Sequence, residues 1–228
     1  MGKSEKTPSF QIVRRAAPAS VLALLCLLAV LLVPTHPLRE GSGHRVEQVD
    51  GSSGKQNHEL FRIYSVIKSH RMDLQDASAW AISEAILTES IRHSLDPLLI
   101  LAVIKVESRF QHTAVSNMGA RGLMQIRPLV ANALANEVDL GDKFASGELD
   151  PEALDDPILN IKLGVFYLQH LKRRFRDLEL ALTAYNWGPT EIDNRLSMEE
   201  AVPLEYAIKV LSAYQSYRRP DRDRLKRP

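Results

Sequence analysis

Three observations predict an all-α, multi-helix domain behind an apolar N-terminal segment. From residue 59 onward apolar residues recur at helical spacing, with no strict alternation and no Asn-Gly or Asp-Gly hairpin signal. Asp96-Pro97 and Asp156-Pro157 are helix starts, because Asp caps exposed N–H groups and Pro suits the first helical position. Residues 16–33 form eighteen consecutive positions without a charge. The 228 residues, 45% hydrophobic and 25% charged, suffice for one substantial core and exclude global disorder.

The N-terminal run would reach roughly 27 Å as a helix, close to the hydrocarbon thickness of a bilayer. Lys3, Lys6, Arg14 and Arg15 precede it, with only Glu5 opposing. The positive-inside rule then keeps residues 1–15 in the cytoplasm and exports the body. The following Val33-Pro34-Thr35-His36-Pro37 offers no small-x-small cleavage site, and Leu25 precedes Cys26 where a lipoprotein needs a small residue. The expectation is therefore an uncleaved anchor at 16–33, with a cleaved signal and a free periplasmic body as the alternative. Residues 34–58, with four glycines, several serines and no apolar period, read as a flexible linker.

The body, residues 59–217, reads as six or more helices. Residues 59–70 place Leu60, Ile63, Tyr64 and Ile67 on one face, and residues 77–94 space Ile82, Ala85, Ile86 and Ile91 for burial. Residues 98–106 are apolar nearly all round apart from Lys105, the pattern of a buried helix that ends near Glu107 and Ser108. Residues 114–126, with Gly119 and Gly122, are irregular. Ile158, Ile161, Val165 and Leu168 make a stripe ending near Phe175; residues 178–186 form a further helix stopped by Gly188-Pro189; Pro203 opens the last, to about Tyr217. Residues 218–228, with two prolines, read as a disordered tail.

The charge is unevenly divided. Residues 1–58 carry +3, the body −6 and the tail +4, for a net +1. That balance argues against nucleic acid as a partner. One cysteine excludes an internal disulfide, and no His pair has ligand spacing with a carboxylate, so neither a metal nor a cofactor is expected.

Glu107, at the end of an apolar helix, is either paired with a neighbour such as Arg109 or held neutral by desolvation, ready to donate a proton near neutral pH. Around it the sequence reads Glu107-Ser108-Arg109-Phe110, then Ser116 with Gly119-Ala120-Arg121-Gly122-Leu123-Met124-Gln125-Ile126, and later Ala184-Tyr185-Asn186-Trp187-Gly188. Asn160-Ile161 with Gly164 and Tyr167-Leu168 lies between. These ordered motifs resemble the soluble-lytic-transglycosylase (SLT) type of lysozyme-like domain, over roughly residues 80–217.

The resemblance implies cleavage of the β-1,4 bond between N-acetylmuramic acid and N-acetylglucosamine in peptidoglycan, without water. The muramic 6-hydroxyl attacks the anomeric carbon and leaves a 1,6-anhydro end, through an oxazolinium formed by the sugar's N-acetyl group. One glutamate acts as acid and then as base, and Glu107 takes that place. From Glu107 to Arg127 the only acidic residue is Glu107 itself, which suits a reaction whose nucleophile comes from the substrate; ordinary glycosidases use two carboxylates.

The resemblance further implies that Ser116 and Gln125 bond sugar or acetamido groups. Tyr185 sets its hydroxyl near Glu107 or the acetamido carbonyl. Asn186 binds sugar or fixes the local turn; Met124 and Tyr206 line the groove or pack in the core. Peptidoglycan strands are the expected partner, beside the membrane and possible cell-wall machinery. The chain departs from the family at three places. Arg127 replaces a Met, either facing solvent or meeting a peptide-stem carboxylate. Trp187 stands where Ala is usual, and Val202-Pro203 replace a Glu-Thr pair. The alternatives are a goose-type lysozyme, which would need a second carboxylate, and an inactive glycan-binding module.

Overall fold

The computed structural model describes residues 51–135, 137–138 and 149–219. The expected cytoplasmic segment (1–15), the anchor (16–33), most of the linker and most of the basic tail lie outside the described residues. Among the described residues no helix is long and apolar enough to cross a membrane. The described residues form eight α-helices in order: α1 Gly51–His70, α2 Asp76–His93, α3 Pro97–Glu107, α4 Pro128–Leu134, α5 Pro157–Phe175, α6 Leu178–Trp187, α7 Pro189–Ser197 and α8 Glu205–Arg218, with a 3-10 turn at Pro151–Asp155.

Local signals account for most starts. Asp96 accepts from the Leu98 N–H at 2.9 Å, Asp156 from Ile158 and Leu159 at 2.9 Å each, and Asp177 from Leu180 at 2.8 Å. Pro occupies the first turn of α3, α4, α5 and α7. Gly188-Pro189 does end α6, but Pro189 at once begins α7, which the sequence reading did not foresee.

Helix α3 is the axis of the core. Leu98 through Ile104 are all buried, and α3 packs chiefly on α8, while α5 packs on α2 and α6. Each large aliphatic side chain hidden there contributes about 1.5–3 kcal/mol. That burial anchors the helix and carries Glu107 to its end.

Two expectations need correction. Residues 51–58, expected in the linker, are the first turns of α1, and residues 53–58 are exposed. Each residue added to a helix whose other end is packed gains one hydrogen bond without a new nucleus, so the helix outruns its buried face. Ile91, expected to be buried, is 56% exposed. The inward stripe of α2 runs through Ala79, Ile82, Ser83, Ile86, Glu89 and Ser90, and Ile91 falls about 100° off it. Glu89 is accommodated inside by Arg92 at 3.2 Å and His93 at 3.5 Å.

The segment from 114 to 126 has only two isolated bridges, Val115 with Arg121 and Arg121 with Ile126. Asn160, fully buried on α5, holds it in place. Its amide donates to the carbonyls of Arg121 and Leu154, both at 2.9 Å, and its Oδ1 accepts from the Met124 N–H at 2.7 Å. Gly122, at φ +82°, lies so close that a Cβ would stand 2.2 Å from the Asn160 amide nitrogen.

Candidate active site

Glu107 ends α3 because the chain then turns sharply. Arg109 and Phe110 both take positive φ, 52° and 65°, costly for side chains of that size. Phe110 is buried and stacks on His70 at 4.8 Å. The strained turn is thus held by packing.

The Glu107 carboxylate opens on a cleft of about 590 Å³. Ser116, Met118, Gln125, Arg127, Tyr167, Tyr185, Asn186 and Trp187 line it too, and Glu107 is the only acidic residue among the described lining residues. Burial pushes Glu107 up to about 7, and the hydroxyl of Tyr206, donating at 2.5 Å to its Oε1, pulls the other way. Its place at a helix C-terminus also disfavours a negative charge. Among the described residues no Lys or Arg forms an ion pair with it, so the pairing alternative with Arg109 is not what the structure contains.

The packing of α8 against α3 delivers Tyr206 from 99 residues away. It is buried, yet its hydroxyl touches the carboxylate, so it belongs to core and site at once. Burial, and then the charge of Glu107, raise its own hydroxyl well above the ordinary tyrosine range.

The other expected residues divide. Ser116 faces the cleft, but its Oγ accepts from the Ala120 N–H at 3.0 Å and so also braces the turn. Gln125, at φ 50°, donates its amide to the carbonyls of Ala114 at 2.9 Å and Gly122 at 3.0 Å. Both partners can only accept, so the nitrogen faces them and the side-chain oxygen remains as the acceptor. Asn186 is exposed on the cleft, and no turn-fixing bond from its side chain is seen among the described residues.

Of its two readings, Met124 takes the core one. Its side chain is fully buried against Gly164, where a Cβ would stand 2.5 Å from its sulfur. Tyr185 lines the cleft with Glu107, where burial and then the neighbouring carboxylate raise its hydroxyl well above the ordinary tyrosine range, and that hydroxyl donates to the Met124 carbonyl at 2.9 Å. A buried carbonyl needs that donor, and the bond joins α6 to the loop. Arg127 is exposed at the cleft. Sequence reasoning overlooked Met118 and gave Tyr167 no role; Tyr167 packs at 5.3 Å on Tyr185 and lines the cleft. Its only signal was its place in the Asn160-to-Leu168 motif.

A helical domain with one desolvated carboxylic acid in an open cleft defines the class. The Transglycosylase SLT domain model matches residues 84–207, more than half of the chain, and the chain belongs to that family. It is 31% identical over 134 residues to a membrane-bound lytic murein transglycosylase C of Mannheimia succiniciproducens, covering 55% of this chain and 35% of that protein. It is 36% identical over 104 residues to a membrane-bound lytic murein transglycosylase F of Desulfosudis oleivorans, covering 42% and 20%. The chain thus spans little more than a third, or less, of these relatives' length. The fold matches part of the 70 kDa soluble lytic transglycosylase of Escherichia coli, with a TM-score of 0.51 and 22% identity over 72% of this chain and 30% of that one.

Proposed function

We propose that the protein is a peptidoglycan lytic transglycosylase with Glu107 as its one acid-base group. The observation that supports this most is a carboxyl raised to about 7, alone among the described acidic residues in its cleft. Near neutral pH such a group is protonated in a large fraction of molecules and can give a proton to the departing glycosidic oxygen. As carboxylate it then takes the proton of the muramic 6-hydroxyl as that oxygen bonds to the anomeric carbon. Tyr206 steadies the carboxylate form. Gln125 and Asn186 offer an acceptor and an amide for sugar or acetamido groups, beside Ser116.

A hydrolase of the goose lysozyme kind would need a second carboxylate to position water, and the described lining has none. Mass spectrometry of the products released from purified peptidoglycan tests the reading. The full chain should yield 1,6-anhydro ends, and the Glu107→Gln chain none. Reducing ends would turn it into a hydrolase; no cleavage by the parent, with glycan bound, would turn it into a binding module.

Residues 16–33 are proposed to hold the domain at the cytoplasmic membrane, its cleft on the outer side. The uncharged run and the membrane-bound naming of two relatives support this. Release of the full chain from membranes by alkaline carbonate without detergent would overturn it. The tether would suit localised cutting beside cell-wall machinery.

A further inference from the structure

Trp187 is 49% exposed and lines the same cleft as Glu107. The Arg195 guanidinium lies over its ring at 5.9 Å. Arg195 is itself fixed, by Glu191 at 2.7 Å and by the carbonyl of Ala201 at 3.1 Å. The indole is therefore braced on one side by an anchored cation. The chain's other tryptophan differs. Trp80 spends its N–H on Glu84 at 2.8 Å and packs its ring against Phe61 at 5.3 Å and Tyr64 at 5.8 Å. No aromatic ring packs on Trp187 among the described residues.

We infer that Trp187 is a stacking platform for one N-acetylhexosamine ring of the bound glycan, with Arg195 as the residue that positions it. This rests on the proposed function. A β-linked pyranose with equatorial substituents presents C–H bonds on its faces and hydroxyls at its edge. An aromatic face carries negative charge density that meets those C–H bonds and gives up poorly held water. The hydroxyl edge is left for the polar side chains of the cleft, Gln125 and Asn186 among them. A rigid ring with two side-chain torsions, braced before the ligand arrives, loses little freedom on binding. The short loop geometry at Gly188, with φ 89°, turns the chain directly after the indole and sets it at the end of α6.

The test uses the full chain with Glu107→Gln, so that nothing turns over, and Trp80→Phe, so that Trp187 is the only tryptophan and is excited selectively beyond the tyrosine band. The probe is a β-1,4-linked N-acetylglucosamine tetramer, followed by stem-free glycan strands. Binding should shift the Trp187 emission. Trp187→Ala, read by calorimetry, should weaken binding about tenfold, Trp187→Phe about threefold or less, and Arg195→Ala should fall between. In chains that keep Glu107, Trp187→Ala should raise KM for peptidoglycan. Unchanged emission on saturation, or Trp187→Ala affinity and KM within about twofold of the parent, overturns the platform while leaving the enzyme reading intact. Absence of both glycan binding and cleavage in the parent overturns both.

Discussion

Helix α3 and the 114–126 loop both serve the cleft, and they are held by opposite means. Helix α3 is fixed by apolar burial around Leu98 to Ile104, so the half-buried carboxylate at its end inherits a rigid, largely desolvated position. The loop has almost no regular structure and is fixed by polar bonds that arrive from elsewhere, from Asn160 on α5 and Tyr185 on α6. Burial without pairing raises the pKa of an acid. Directed hydrogen bonds let a backbone approach a ligand while keeping its own carbonyls satisfied. The division explains why strained backbone at Gln125 and the glycines Gly119 and Gly122 fall in the loop, whereas α3 carries none.

Five changes would break or sharpen this contrast. The largest effect is on the helix side: Glu107→Gln should lower peptidoglycan cleavage by about a thousandfold or more, with helical circular dichroism unchanged. The loop side fails through stability. Asn160→Ala strands the Leu154 carbonyl and the Met124 N–H, leaves the Arg121 carbonyl with the Ile126 N–H as its donor, and should cost about 3 kcal/mol in chemical denaturation. An equal loss of activity without loss of stability would show that the loop is held otherwise.

The pH dependence comes third. Glu107 moves from an ordinary 4.5 to about 7 on folding, so between those values the folded chain holds more protons than the unfolded one. Its contribution is then fully present below about 4.5 and is lost as pH rises through 7. The stability of Glu107→Gln relative to the parent should therefore grow across that window, by about 3 kcal/mol at most. Denaturation midpoints at pH 4, 6 and 8 would read it, and a difference independent of pH would contradict the desolvated carboxyl.

Fourth, Tyr206→Phe removes the bond that favours the carboxylate, so the alkaline limb of the activity profile should move to higher pH. A shift to lower pH would mean that Tyr206 acts on the neutral acid instead. The smallest effect lies outside the cleft lining. Gly54 sits in the exposed start of α1 with open space around it, and Gly54→Ala should stabilise by about 1 kcal/mol or less. Amide exchange should show residues 53–58 opening first.

Much of this arrangement can be read along the chain. The Asp-Pro starts of α3 and α5 and the all-round apolar run of α3 are local facts, and they mark Glu107 as an acid at the end of a buried helix. The short helices α4 and α7 escaped because seven and nine residues hold too little apolar period to register. Met124 and Tyr185 sit side by side with cleft residues in the motifs, but spacing does not say which way a side chain turns. Gly164 makes the room that draws Met124 inward, and the Met124 carbonyl claims the Tyr185 hydroxyl.

The sequence by itself determined the helical class, a carboxyl at the end of a buried helix, the irregular loop and the uncharged N-terminal run, because these depend on residues close together in the chain. Only the tertiary structure decided that Tyr206 meets Glu107, that Asn160 secures the loop and that Trp187 and Arg127 share the cleft. Each of those depends on how two distant helices pack, and packing is set by the shape of the whole core rather than by any one segment.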